Sequence, residues 1–233
     1  TGSEVDAWGV ISNPETNEKI GFGGDDRLFP VLALVDPQLM LTVPPQYTAY
    51  QGFDALFHST EVHIGKFSNG VSDMFTKAAI EAIAAYLPRA VADGNDLEAR
   101  SKVAFANTMS GYAMVVASTT SEHSLEHAMS AFHHELPHGA GLIMISKAFY
   151  GHFAEKHACD ERMIEMARLM GRKDADKAED FVAALAELQK ACGVDGLKMS
   201  DYGIRPDEFE KMAINAKETM GGLFLADPCP LSV

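Results

Sequence analysis

Pro44-Pro45-Gln46-Tyr47-Thr48-Ala49-Tyr50-Gln51-Gly52-Phe53-Asp54-Ala55-Leu56-Phe57-His58 is where the chain changes character. After this stretch most segments show a 3.6-residue apolar period, rich in Ala, Met and Leu, and β-branched runs become rare. Helices are predicted over residues 45–60, 71–86, 97–118, 121–132, 139–157, 160–170, 175–192 and 206–219. Pro88, Gly94, Gly171 and Gly193 fall at the predicted breaks, with Asp96, Ser121 and Asp174 as N-caps. Before the stretch, residues 1–43 read as β. Val5 to Ser12 is one strand, residues 13–17 are turn chemistry, and Lys19 to Phe22 returns as its hairpin partner. Val31 to Val35 is a short continuous apolar run, the pattern of a buried strand, stopped by Asp36-Pro37. The expected division is thus 1–43, a β segment, and 44–233, an all-helical unit large enough to bury its own core.

Composition narrows the function classes. The chain has 233 residues, 47% hydrophobic and 22% charged, which suits a globular protein and excludes wholesale disorder. With 19 basic against 33 acidic residues, the net charge of −14 repels phosphate backbones and acidic lipid. Nucleic-acid and membrane partners are therefore not expected, and no apolar run is long enough to span a bilayer. Cys159, Cys192 and Cys229 have no metal-type spacing and, being odd in number, suit a reducing compartment. A cytoplasmic location is expected. The sequence starts on Thr1 and closes on a Pro-rich turn, so a fragment is expected.

The histidines carry the chemistry. Five of the nine lie between His123 and His138. Asp54 and His58 are four apart, which on a helix puts a carboxylate and an imidazole on one face, about 6 Å apart at Cβ. His123 and His127 repeat that spacing. Either pair alone is also an ordinary polar helix face. Together, three imidazoles and a carboxylate without thiolate suit Zn²⁺ or Fe²⁺. His134-Glu135-Leu136-Pro137-His138 fits H-E-x-x-H, the metalloprotease signature. That chemistry needs an unbroken helix, and Pro137 both lacks an N–H and pushes Leu136 out of helical geometry. Glu135 to Pro137 is read as a turn. His133, His134, His152 and His157 are read as solvated or capping histidines. The methionines at 109, 114, 129, 163, 166 and 170 are read as core filling, and Trp8 as strand packing. A metal-dependent hydrolase and a non-catalytic helical metal-binding domain stand as alternatives.

Taken in order, several motifs resemble the iron-containing (group III) alcohol dehydrogenase family, of dehydroquinate-synthase-like fold. These are Thr1-Gly2-Ser3-Glu4, Leu34-Val35-Asp36-Pro37, Gly52 to His58, His123-Ser-Leu-Glu-His127, Pro137-His138-Gly139, Asn215-Ala-Lys and Asp227-Pro228. The resemblance implies a mainly α fold: a helical C-terminal metal-binding domain preceded by a few β-strands left from an α/β nucleotide-binding domain, whose glycine-rich half is not in this sequence. It implies Asp54, His58, His123 and His138 as metal ligands, where spacing alone pairs His123 with His127. It leaves His127 as a proton-relay group near the substrate, and sets Thr1, Gly2 and Ser3 against the nicotinamide end of the cofactor. His123 and His138 are one residue further apart than the common family spacing, and the His133 to Leu136 turn is the expected place for the insertion. The implied activity is alcohol dehydrogenase or aldehyde reductase, with Fe²⁺ (or Zn²⁺), NAD or NADP, a small alcohol or aldehyde substrate, and a homo-oligomer, a dimer, in the intact protein. The fragment alone is expected to be poorly active or inactive.

Overall fold

The computed structural model describes residues 1–232; Val233, the last residue of the expected helical unit, lies outside them. A hairpin of β1 (Trp8–Asn13) and β2 (Glu18–Gly23) leads, through an extended segment, to eight helices: α1 (Pro45–Ile64), α2 (Gly70–Ala92), α3 (Leu97–Val116), α4 (Ser121–Phe132), α5 (His138–Glu155), α6 (Asp160–Leu169), α7 (Glu179–Ala191) and α8 (Phe209–Met220). The mainly α expectation holds.

Helix α1 is the axis. Nearly every residue from Thr48 to Ile64 is buried, the signature of a helix surrounded by others. It packs on α2, α3, α5 and α6. Phe53 and Phe57 lie along it, and Phe57 stacks on Tyr150 of α5 with ring centroids 6.3 Å apart. Two glycines allow the close approaches. A Cβ on Gly139 would sit 2.3 Å from the Tyr50 carbonyl oxygen, and one on Gly52 would sit 2.3 Å from a Leu87 methyl. The first lets α5 start against α1; the second lets α2 lie close beside the turn that carries Asp54.

The hairpin register pairs Trp8 with Gly23, Val10 with Gly21 and Ser12 with Lys19. Because side chains alternate across a strand, Trp8, Val10 and Lys19 share one face, toward the helices. The preceding segment is tied to α3: Glu4 accepts from Asn107 at 2.9 Å and Thr108 at 2.7 Å. Gly2, at φ +80°, lies so near Gly111 and Met114 that a Cβ would be 3.0 Å from each.

Three sequence expectations are corrected. Val31 to Val35 is not a strand: it is extended and exposed, Val31 and Leu34 almost fully. A strand needs a ladder partner, and none of the described residues supplies one. Pro88 does not end its helix; α2 runs on to Ala92, since Leu87 and Ala90 are fully buried and hold the last turn in place against the missing hydrogen bond. Ser121 and Asp174 are not N-caps: α4 is preceded by Thr120, and α7 starts at Glu179 behind Ala178. Trp8 does pack on the strand as expected, its ring lying over Gly23 and Gly24 across the hairpin with its outer face exposed. No described helix is long and apolar enough to cross a membrane.

Candidate metal centre

Asp54, His58 and Glu61 recur at i, i+4 and i+7, so they line one face of α1. That face meets α4, where His123, His127 and Ser130 repeat the period, and the first turn of α5, which His138 opens. The three helices bring the side chains to one point. Asp54 Oδ1 lies 3.2 Å from His123 Nε2, 3.3 Å from His138 Nε2 and 3.5 Å from His58 Nε2. Asp54, His123 and His138 each offer a donor atom within 4.8 Å of the others. His58 stands at the edge, its ring stacked on His123 with centroids 4.4 Å apart.

Three imidazole nitrogens aimed at one carboxylate oxygen cannot all be satisfied by hydrogen bonds. They can be satisfied by a shared cation. Four ligands about 2.1 Å from an ion at a tetrahedral centre stand about 3.4 Å apart. The three separations from Asp54 match that edge, and Asp54, His123 and His138 form a compact donor set that fits a divalent ion, with His58 beside it.

The far nitrogens are held by polar groups. His123 Nδ1 meets Glu61 and His138 Nδ1 meets Glu126, both through short contacts with buried carboxylates. His58 Nδ1 lies 3.2 Å from the Thr1 hydroxyl, which also donates to Asp54. A carboxylate only accepts, so Nδ1 of His123 and of His138 carries the hydrogen. Nε2, facing Asp54, is then the nitrogen of each ring that gives up its proton when it ligates an ion.

Charge follows geometry. Burial opposes ionisation of Asp54, but His58 and His138 beside it outweigh burial and hold its carboxyl well below the usual range. Burial drives His58 well below the ordinary imidazole value. Burial also acts on His123, yet Glu61 and Asp54 push it up to about 10. His127 is pulled down to about 2 by burial, with His138 and Lys19 adding to the effect. Its Nδ1 lies 2.8 Å from the Met220 sulfur, which only accepts, so the hydrogen is on Nδ1 and Nε2 is the free acceptor.

The cluster is the floor of a cavity of about 450 Å³. Trp8, Val10 and Gly21 of the hairpin form one wall; Met114 and Ala117 at the end of α3 form another, with Met220 and Leu223 opposite. Thr1, Ser3 and Asp6 complete the lining, the Thr1 hydroxyl against Asp54 and His58, while Gly2 turns against α3. A larger open depression of about 650 Å³ shares no lining residue with this cluster and is walled by ion-paired residues such as Arg162 and Asp73. It holds none of the converging donors.

The structure thus brings together Asp54, His58, His123, His127, His138, Thr1 and Ser3. It separates His134 and Glu135, exposed in the turn before α5, so no H-E-x-x-H helix exists. His133 approaches Glu208 at 3.4 Å, and His157 pairs with Asp160 at 2.9 Å. Met114 lines the cavity in addition to packing. Glu61, Glu126, Lys19 and Met220 escaped the sequence reading. Glu61 follows His58, and Glu126 follows His123, by three residues, a spacing that could have flagged both; Lys19 and Met220 reach the site only through tertiary contact.

Comparison with known proteins agrees with this geometry. The model of the Fe-containing alcohol dehydrogenase family, C-terminal, matches residues 48–225. The NAD-dependent methanol dehydrogenase of Bacillus methanolicus is 30% identical over 94% of this chain and 57% of its own length. The choline dehydrogenase of Bacillus subtilis is 38% identical over 92% of this chain and 46% of its own. The chain therefore spans about half the length of these curated relatives. Among solved structures, an archaeal halo-thermophilic Red Sea brine pool alcohol dehydrogenase superposes with a TM-score of 0.93 at 33% identity, covering 100% of this chain and 59% of that one. With the family pattern matched across α1 to α8 and the same fold in a solved relative, the chain belongs to the Fe-containing alcohol dehydrogenase family.

Proposed function

We propose that the chain is the metal- and substrate-binding part of an alcohol dehydrogenase or aldehyde reductase that exchanges hydride between a small alcohol and NAD or NADP. The observation that carries this reading is the convergence of Asp54 Oδ1 with three imidazole Nε2 atoms, 3.2 to 3.5 Å away, at the floor of a cavity. Asp54, His58, His123 and His138 hold the ion, Fe²⁺ or Zn²⁺. Bound there, it supplies Lewis acidity that lowers the pKa of an alcohol oxygen and polarises an aldehyde carbonyl.

The surrounding residues supply the rest. Trp8, Val10, Met114 and Leu223 give the substrate an apolar side of the cavity to lie against. His127 stands neutral beside the cluster with Nε2 free, and accepts the proton that the alcohol releases. From there the proton passes on to solvent. Thr1, Gly2 and Ser3, in or beside the cavity lining, are where the nicotinamide approaches. Membership of a family whose relatives include NAD-dependent methanol dehydrogenase supports this assignment.

The test is alcohol-dependent reduction of NAD⁺ and NADP⁺ by the full-length protein containing this chain, with Fe²⁺ or Zn²⁺ supplied. Turnover that is lost in His123→Ala supports the proposal. Turnover that persists in this variant contradicts it.

A further inference from the structure

Glu126 has no counterpart among the expected ligands, yet its side chain is fully buried beside them. Oε2 meets His138 Nδ1 and lies 3.4 Å from Lys19 Nζ. Lys19 in turn donates to Ser130 Oγ at 2.8 Å, one turn further along α4. Lys19 belongs to β2, on the face it shares with Val10 and Trp8. We propose that Glu126 and Lys19 are a positioning pair that fixes the orientation of His138 and ties the hairpin roof of the cavity to that ligand. The proposal rests on the metal reading given above.

Three observations support it. First, room has been made for Glu126. A Cβ on Gly141 would lie 2.7 Å from Glu126 Cγ and 3.0 Å from its Oε1. Gly141 is one helical turn after His138, so α5 carries bare backbone where the Glu126 side chain crosses it. Second, Glu126 Oε1 is buried with no hydrogen-bond partner among the described residues. A buried carboxylate with an idle oxygen is costly for stability, which points to orientation of the other oxygen as its use. Third, Glu126, His127 and His138 themselves offer donors within 4.8 Å of one another, a second cage that shares His138. The Lys19 ammonium beside Glu126 opposes a cation there. It leaves Glu126 to bind Nδ1–H, so that His138 Nε2 serves Asp54's side.

The roles follow. Glu126 selects the tautomer and ring plane of His138, and Lys19 acts through Glu126. Any shift of the hairpin reaches the metal centre by this route.

The experiment is a Co²⁺ titration of the full-length metal-free protein, read by visible ligand-field bands, with thermal melts of the metal-free variants as a folding control. Glu126→Gln keeps volume but loses charge, and should weaken Co²⁺ binding about 10- to 100-fold and alter the bands. Gly141→Ala should reproduce that loss with Glu126 still present. Lys19→Met should show a smaller loss in the same direction, Lys19→Arg should restore it, and Lys19→Met should add nothing in the Glu126→Gln background. Wild-type affinity and spectrum in both Glu126→Gln and Lys19→Met would overturn the pairing while leaving the metal reading intact. A full additive loss in the double variant would overturn the claim that Lys19 acts through Glu126. A wild-type protein that binds no Co²⁺ removes the metal reading and this inference together.

Discussion

Glu61 divides its two oxygens between His123 and the start of the helix that carries it. Oε1 meets His123 Nδ1, and Oε2 accepts from both the Thr120 backbone N–H and the Thr120 hydroxyl at 2.7 Å. One buried side chain thus orients the imidazole and caps α4, whose next N–H, that of Ser121, goes to Asp227 at 2.9 Å. The imidazole cannot rotate without disturbing the helix end, and α4 cannot shift along α1 without moving the imidazole.

Replacing Glu61 by Gln keeps the shape but leaves His123 without a charged acceptor. Metal affinity should fall about 10- to 100-fold. Equilibrium competition with a chelator measures it, and an unchanged affinity would contradict the assigned role.

His63 lies on the face of α1 opposite Asp54, wholly buried, with Thr76 at 3.0 Å and Asp73 at 3.6 Å on one nitrogen and Glu165 at 3.1 Å on the other. Burial pulls its pKa down to about 4, with Arg162 adding to the effect, and the acids only partly offset it. In the unfolded chain His63 titrates near 6.5, so as pH falls the unfolded state takes up the proton first. Stability should therefore hold above pH 6.5 and decline between about 6.5 and 4, by about 3 kcal/mol from this residue. Urea melts across that range should show a shallower decline in His63→Gln; an equal decline would show that His63 does not contribute.

Trp8 lines the cavity together with the histidines, and Gly23 and Gly24 across the hairpin leave its ring room. A Cβ on Gly23 would be 2.9 Å from the indole. Trp8→Ala should open the pocket to longer or branched alcohols, shifting the kcat/KM ratio of a branched to a short alcohol by about tenfold or more. A ratio that does not move would place the substrate elsewhere.

Glu135 is exposed in the turn that Pro137 forces. Glu135→Gln should leave metal content and hydride transfer unchanged, whereas a metal-dependent hydrolase using that glutamate would lose all activity. Parallel assays of dehydrogenase and peptidase activity separate the two.

The positions of the principal donors were legible because α-helical spacing is local. Asp54 and His58, like His123 and His127, sit four apart, and no tertiary information is needed to put each pair on one face. The choice of His138 over His127 beside His123 rests on the family resemblance, because a bend at Pro137 separates the two helices. The helices themselves were legible from the apolar period, with ends displaced by a few residues and Pro88 misread because core packing outweighed one lost hydrogen bond. Val31 to Val35 carried the pattern of a buried strand, but that pattern reports what a segment needs, not what covers it. The pairing of Lys19 with Glu126 was illegible for a related reason. They are 107 residues apart, and nothing in either's neighbourhood announces the other.

Metal content of the purified full-length protein measures the central claim directly. Elemental analysis should find about one Fe or Zn per chain in the wild type and in Glu135→Gln, and almost none in Asp54→Ala and His123→Ala. Stoichiometric metal retained in both of the latter variants would contradict the account.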